Sequence, residues 1–190
     1  MNDGEMKNPD GAPRYGAVAR LFHWVIALLV VVQILAGIAM TSEPLASVAE
    51  ALFIYIYHKG MGPVLFVLVV ARIVWRLTHR PPPFPDYMSA REQRMASAGH
   101  VAIYALLLVM TVSGYVHTVG ADFPIEFLDA LGIPPLIPSM PRVAAIMLVV
   151  HQFAVFALVG MVAGHIAMVL KHQLIDGNPE MRRMWPPWGR

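Results

Sequence analysis

Cysteine is absent from the 190 residues, and with it goes a large part of redox and metal chemistry. Disulfide pairing, thiolate-bound iron–sulfur clusters and covalent haem attachment through C-x-x-C-H all need the thiol. Charge is also scarce. Asp, Glu, Lys and Arg make up 14% of the chain against 57% hydrophobic residues, too little polar side chain to cover a water-soluble globule. A lipid bilayer is the solvent that such a composition requires. No internal repeat is visible.

Apolar runs take the place of the missing charge. Segments 21–40, 53–75, 99–119 and 143–170 are each long enough to cross about 30 Å of hydrocarbon at roughly 1.5 Å per helical residue. Short connections between them predict an all-α integral membrane protein, a four-helix up-down-up-down bundle. The first run contains His23 and Gln33 and is longer than an ordinary signal-peptide core, so it is read as part of the mature bundle, although small residues such as Ala46 and Ala49 follow it. The organisation expected is a tail over 1–14, one transmembrane domain over 15–184 and a second tail over 185–190.

The pI near 9.1 reflects topology and gives no reason to expect nucleic acid. Twelve of the fourteen Lys and Arg residues fall before the first run, around the second connection or after the fourth run. Only Lys59 and Arg142 belong to the other side, together with Glu43, Glu50, Asp122, Glu126 and Asp129. The positive-inside rule therefore places both termini of this multi-pass membrane protein in the cytoplasm.

Prolines mark the connections. Thr41-Ser42-Glu43-Pro44 ends the first run and leads into a short interfacial stretch, and the run from Pro81 to Pro85 ends the second. Residues 89–94 predict a helix lying at the interface before the third run enters near Gly99. The third connection, 120–141, contains five prolines among Phe123, Phe127, Leu128 and Leu131, which predicts a cap folded onto the bundle mouth.

Histidines at membrane depth carry the chemistry, because an ionisable residue inside a span is costly to bury. His151 lies about 12 Å inside the fourth run and His58 five positions inside the second, both from the same surface. His165 and His23 lie near the opposite surface. His151 and His165 are fourteen positions apart, close to four helical turns, so they share one helix face about 21 Å apart along the axis. Paired imidazoles at two depths are suited to be axial ligands of two haem irons. With both axial positions filled, such an iron has no open site and is left with one-electron transfer.

Weaker signals surround these four. Gly60 and Gly62 follow His58 and would let either a flat macrocycle or a neighbouring helix approach; Gly37, Gly114, Gly160 and Gly164 carry the same suggestion with less force. Arg72, fourteen positions after His58, faces the level of His23 and His165, where it would pair with a haem propionate or snorkel to the headgroups. His172 suits proton exchange with a quinone or a solvated interfacial place. His100 rivals His23 as a ligand. His79 and His117 sit at span ends, and the thirteen methionines read as gap-fillers.

Taken in order, "RLFHW", "HKGMG" with "ARIVWRL", "GHVAIYALLLVMTVSGY", and "HQF" with "GHIAMVLKH" resemble the bacterial cytochrome b561 family over about 15–184. The resemblance implies a four-helix membrane bundle carrying two haem b groups, with His23, His58, His151 and His165 as the matching ligands. It also implies a quinone partner and, for some members, superoxide as periplasmic donor, hence a superoxide:quinone oxidoreductase. The chain departs from the pattern at Ala96, where another histidine is expected, so a proton relay at the entrance to the third span is in doubt. Two other readings remain: a haem b membrane anchor taking electrons from a dehydrogenase or hydrogenase partner, and a histidine-based proton or metal transporter.

Overall fold

The computed structural model describes residues 14–41 and 48–185, and the side chains of all of these except 48–52. The tail before Arg14, the Ser42-Glu43-Pro44 stop and the residues after Trp185 lie outside the described residues.

Low charge and abundant Leu, Val, Ile and Ala give four long helices: α1 Ala17–Thr41, α2 Val48–Thr78, α3 Ala90–Gly120 and α5 Pro141–Leu170. All four are long and apolar enough to span a membrane. Short α4, Glu126–Ala130, lies between α3 and α5. No strand occurs among the described residues. Close backbone packing runs from α1 to α2, α2 to α3 and α3 to α5. The pair α1 and α5 is not among these closely packed neighbours. The packed interior is small, built on Ile26, Val30, Leu65, Val69, Leu107 and Leu158. Large apolar side chains such as Leu28, Phe153 and Phe156 point outward, as they do where lipid replaces water.

The helices run further than the apolar stretches alone suggested, and the interfacial helix expected over 89–94 does not exist separately. Ser89 starts α3 as an N-cap: its Oγ accepts from the Glu92 N–H at 3.3 Å and its own N–H donates to Glu92 Oε2 at 2.8 Å. The capping box fixes the helix start nine residues before Gly99, and nothing interrupts the helix between them. At its far end α5 continues through a π-helical turn, Lys171–Ile175, and a 3-10 turn follows at Glu180–Arg183.

Each end of the bundle is closed. At one end Lys59 Nζ donates to Glu126 Oε1 at 2.9 Å and to the Pro124 carbonyl at 2.8 Å, pinning α4 to α2, while the Leu136 N–H donates to the Tyr115 hydroxyl. The segment 120–141 is thus a folded cap. At the other, arginine-rich end, the last described residues return to the start of α1: the Tyr15 N–H donates to the Arg183 carbonyl and Trp24 Nε1 to the Met184 carbonyl. Arg183, 5% exposed, also donates to the Pro83 carbonyl, so the proline-rich connection belongs to the same closure.

Candidate cofactor sites

Helix α5 presents two histidines, and each meets a histidine of another helix. At the α4 end, His58 of α2 and His151 of α5 have ring centres 6.2 Å apart at 87°. At the arginine-rich end, His23 of α1 and His165 of α5 have ring centres 6.3 Å apart at 72°. The second pair joins α1 to α5, two helices that are not among the closely packed pairs.

Two imidazoles bound to opposite faces of one iron, each nitrogen roughly 2 Å from it, hold their ring centres about 6 Å apart. Both pairs have this spacing. The hydrogen bonds of His151 agree. Its Nδ1 lies 2.9 Å from the Met110 carbonyl, which only accepts, so Nδ1 carries the proton and Nε2 keeps a lone pair for a metal. Fixing the tautomer through the second nitrogen is the usual support of a metal-bound histidine. Ser113 Oγ lies 3.2 Å from the same nitrogen. Opposite it, the His58 carbonyl accepts from Gln33 Nε2 at 3.0 Å, which ties the turn of α2 that carries His58 to α1. His58 Nδ1 is buried without a hydrogen-bond partner. The residues present therefore fit the cofactor of a b-type cytochrome.

Glycines cradle this pair, though not the two that the sequence singled out. A Cβ at Gly114 would stand 3.1 Å from His151 Cε1, and one at Gly37 would stand 3.7 Å from His58 Cε1. At Gly60 a Cβ would come within 3.0 Å of Phe127 Cβ, so this glycine admits the α4 cap, the helix-contact alternative. Gly62 has nothing within 4 Å.

Around His23 the arrangement is denser. His100 of α3 stands 5.5 Å from the His165 ring, inside the spacing of an iron-bridged pair, with Nδ1 buried and unpartnered. Arg72 reaches the same level from α2, its Nε donating to the Tyr104 hydroxyl at 2.8 Å and its NH1 to His23 Nδ1 at 3.1 Å. Tyr104 escaped the sequence reading although it follows His100 by one turn, because an aromatic in a span reads first as packing. Among the described residues no cluster of three or more His, Asp or Glu side chains is arranged to hold a bare metal ion.

His172 is not solvated. It is 6% exposed, and its Nδ1 lies 2.8 Å from Asp176 Oδ2. A hydrogen bond from Lys171 holds the Asp176 carboxyl below its ordinary range despite the opposing effect of burial, so an ionised acceptor faces His172. His117 and His79 take end positions, the first bonded to the Ala144 carbonyl and the second stacked on Trp75.

Four spanning helices with opposed imidazoles at two depths are what a membrane-embedded b-type electron-transfer cytochrome requires. The family model of the prokaryotic cytochrome b561 matches residues 14–187. "Cytochrome b561 homolog 2" of Escherichia coli (strain K12) is 30% identical over 176 residues, covering 90% of each chain. The chain belongs to the prokaryotic cytochrome b561 family, whose cofactor is haem b.

Proposed function

We propose that the protein carries two haem b groups, one between His58 and His151 and one between His23 and His165, and relays single electrons between a periplasmic donor and the quinone pool of the inner membrane. The observation that carries this reading is the pair of ring separations, 6.2 and 6.3 Å, at opposite ends of one bundle. The charge distribution supports the arginine-rich end as the cytoplasmic one.

Haem supplies a one-electron couple when it is bound; the chain supplies place, orientation and dryness. Helix α5 holds one ligand of each group about 21 Å apart, and α1 and α2 bring the partners. Met110 and Ser113 orient His151. Gly37 and Gly114 leave room beside the rings. The two end closures keep water from the ligand pairs, and a water-poor surrounding favours the less charged ferrous state. Arg72 is assigned to a haem carboxylate at the arginine-rich end. His172, held against ionised Asp176, is assigned to proton exchange with quinone at the same surface.

Superoxide is one donor that this reading admits at the α4 end. A redox protein partner is the other, and its co-purification with the chain separates the two. The ligand assignment is tested by haem content per chain in four variants. His58→Ala and His151→Ala are expected to lose one and the same haem, and His23→Ala and His165→Ala the other. Two haems retained after His23→Ala would transfer that ligand role to His100.

A further inference from the structure

Arg72 joins three helices at one depth. From α2 it donates through Nε to Tyr104 on α3 and through NH1 to His23 on α1. A guanidinium has five N–H groups and no lone pair, so it can only donate. In this arrangement His23 Nδ1 therefore carries the lone pair and the ring proton sits on Nε2. A neutral imidazole that gives Nε2 to iron keeps its proton on Nδ1, where it would meet an Arg72 N–H donor to donor. For His23, iron and Arg72 exclude one another.

The Tyr104 contact has no such conflict. Its phenolic oxygen accepts from Nε whatever His23 does, and the guanidinium carbon lies 5.6 Å from the centre of the Tyr104 ring, within the range of a cation–π contact. Tyr104 is thus the fixed end of the network and His23 the end that must let go.

We propose that Tyr104 is a positioning residue for the cofactor at the arginine-rich end, anchoring Arg72 through Nε while its NH1 edge turns from His23 to an anionic carboxylate of the haem. The inference rests on the two-pair reading given above. Its electrostatic consequence is definite. Ferric iron carries one positive charge more than ferrous, so a guanidinium held nearby disfavours the oxidised state and raises the midpoint potential, with little screening away from bulk water. Phenylalanine keeps the ring face but loses the acceptor that fixes Nε, so Arg72 is freer to extend toward the headgroups and its charge moves off.

Redox potentiometry of the purified, haem-loaded protein tests this, with Tyr104→Phe, Arg72→Gln and the double variant, and with His165→Ala to identify which haem is affected. Tyr104→Phe is expected to lower one midpoint potential and leave the other in place. Arg72→Gln should lower the same one, and the double variant should go no lower than Arg72→Gln alone, because Tyr104 acts through Arg72. The shifted haem should be the one missing from His165→Ala. Unchanged potentials in Tyr104→Phe, additive shifts in the double variant, or a shift in the haem that survives His165→Ala would each overturn the inference while leaving two haems in place. So would loss of that haem in Tyr104→Phe but not in Arg72→Gln. A single haem in the unmodified chain would overturn the two-pair reading and this inference together.

Discussion

A histidine ring at membrane depth is only as good a ligand as the groups that hold it still. His151 is held on two sides, by the Met110 carbonyl and by the surface of α3 at Gly114. A methyl group at Gly114 would approach His151 Cε1 to 3.1 Å and Nδ1 to 3.3 Å, too near for the ring to stay where the Met110 bond places it. Gly114→Ala is therefore expected to weaken or lose the haem at the α4 end while the other is retained. Gly62→Ala, with nothing within 4 Å, should keep both; equal haem content per chain in the two variants would contradict this account. The four paired histidines were legible in the sequence because depth and the 3.6-residue repeat decide which of them can meet. The supporting residues were not. Ser113, Gln33 and Tyr104 act through hydrogen bonds between helices, and helical period says nothing about which neighbour a face will meet. Gly60 had the same pattern as a cofactor glycine and packs on Phe127 instead.

At the scale of the element, hydrophobic length located all four spans, and their ends were set by chemistry that length does not contain. The Ser89–Glu92 capping box was present in the sequence as a helix-start signal, yet the polar run 89–94 suggested a helix lying at the interface ahead of the apolar segment. A single helix satisfies both, because polar residues on a first turn outside the hydrocarbon cost little. Removing the cap should cost about 1 kcal/mol locally. Ser89→Ala is expected to speed amide hydrogen exchange at Glu92 and Gln93, whose N–H groups donate to Ser89, and to leave exchange in the membrane-embedded part of α3 unchanged. Faster exchange along the whole helix would mean that 89–94 and the span do separate. The cap over 120–141 was legible as folded from its prolines and apolar side chains. Its fastening through Lys59 was not, since an ion pair across a connection has no period to reveal it.

For the molecule as a whole, the question is what the donor proposed for the α4 end would meet there. Lys59 adjoins His58, where an unmatched positive charge would draw a small anion toward that end of the bundle. In the structure Lys59 is 17% exposed and bonded to both Glu126 and the Pro124 carbonyl, so its charge is matched where it stands. Burial pushes the Glu126 carboxyl up, but the Lys59 hydrogen bond outweighs this and holds it below its ordinary 4.5. A carboxyl lowered on folding contributes stability above its unfolded value and loses it as pH falls through the folded one, so the α4 closure should loosen only in acid below that range. At neutral pH, electrostatic steering of an anionic donor should be weak. In stopped-flow reduction by superoxide, the native rate is expected to change little with ionic strength, and Lys59→Gln should slow an anionic donor because it leaves Glu126 uncompensated. Glu126→Gln provides the contrast, because it leaves Lys59 uncompensated, and the rate should then rise and acquire a salt dependence of the attractive sign. A native rate that falls as salt rises would show that the ion pair opens to receive the donor, and the closed cap would be only one of its states.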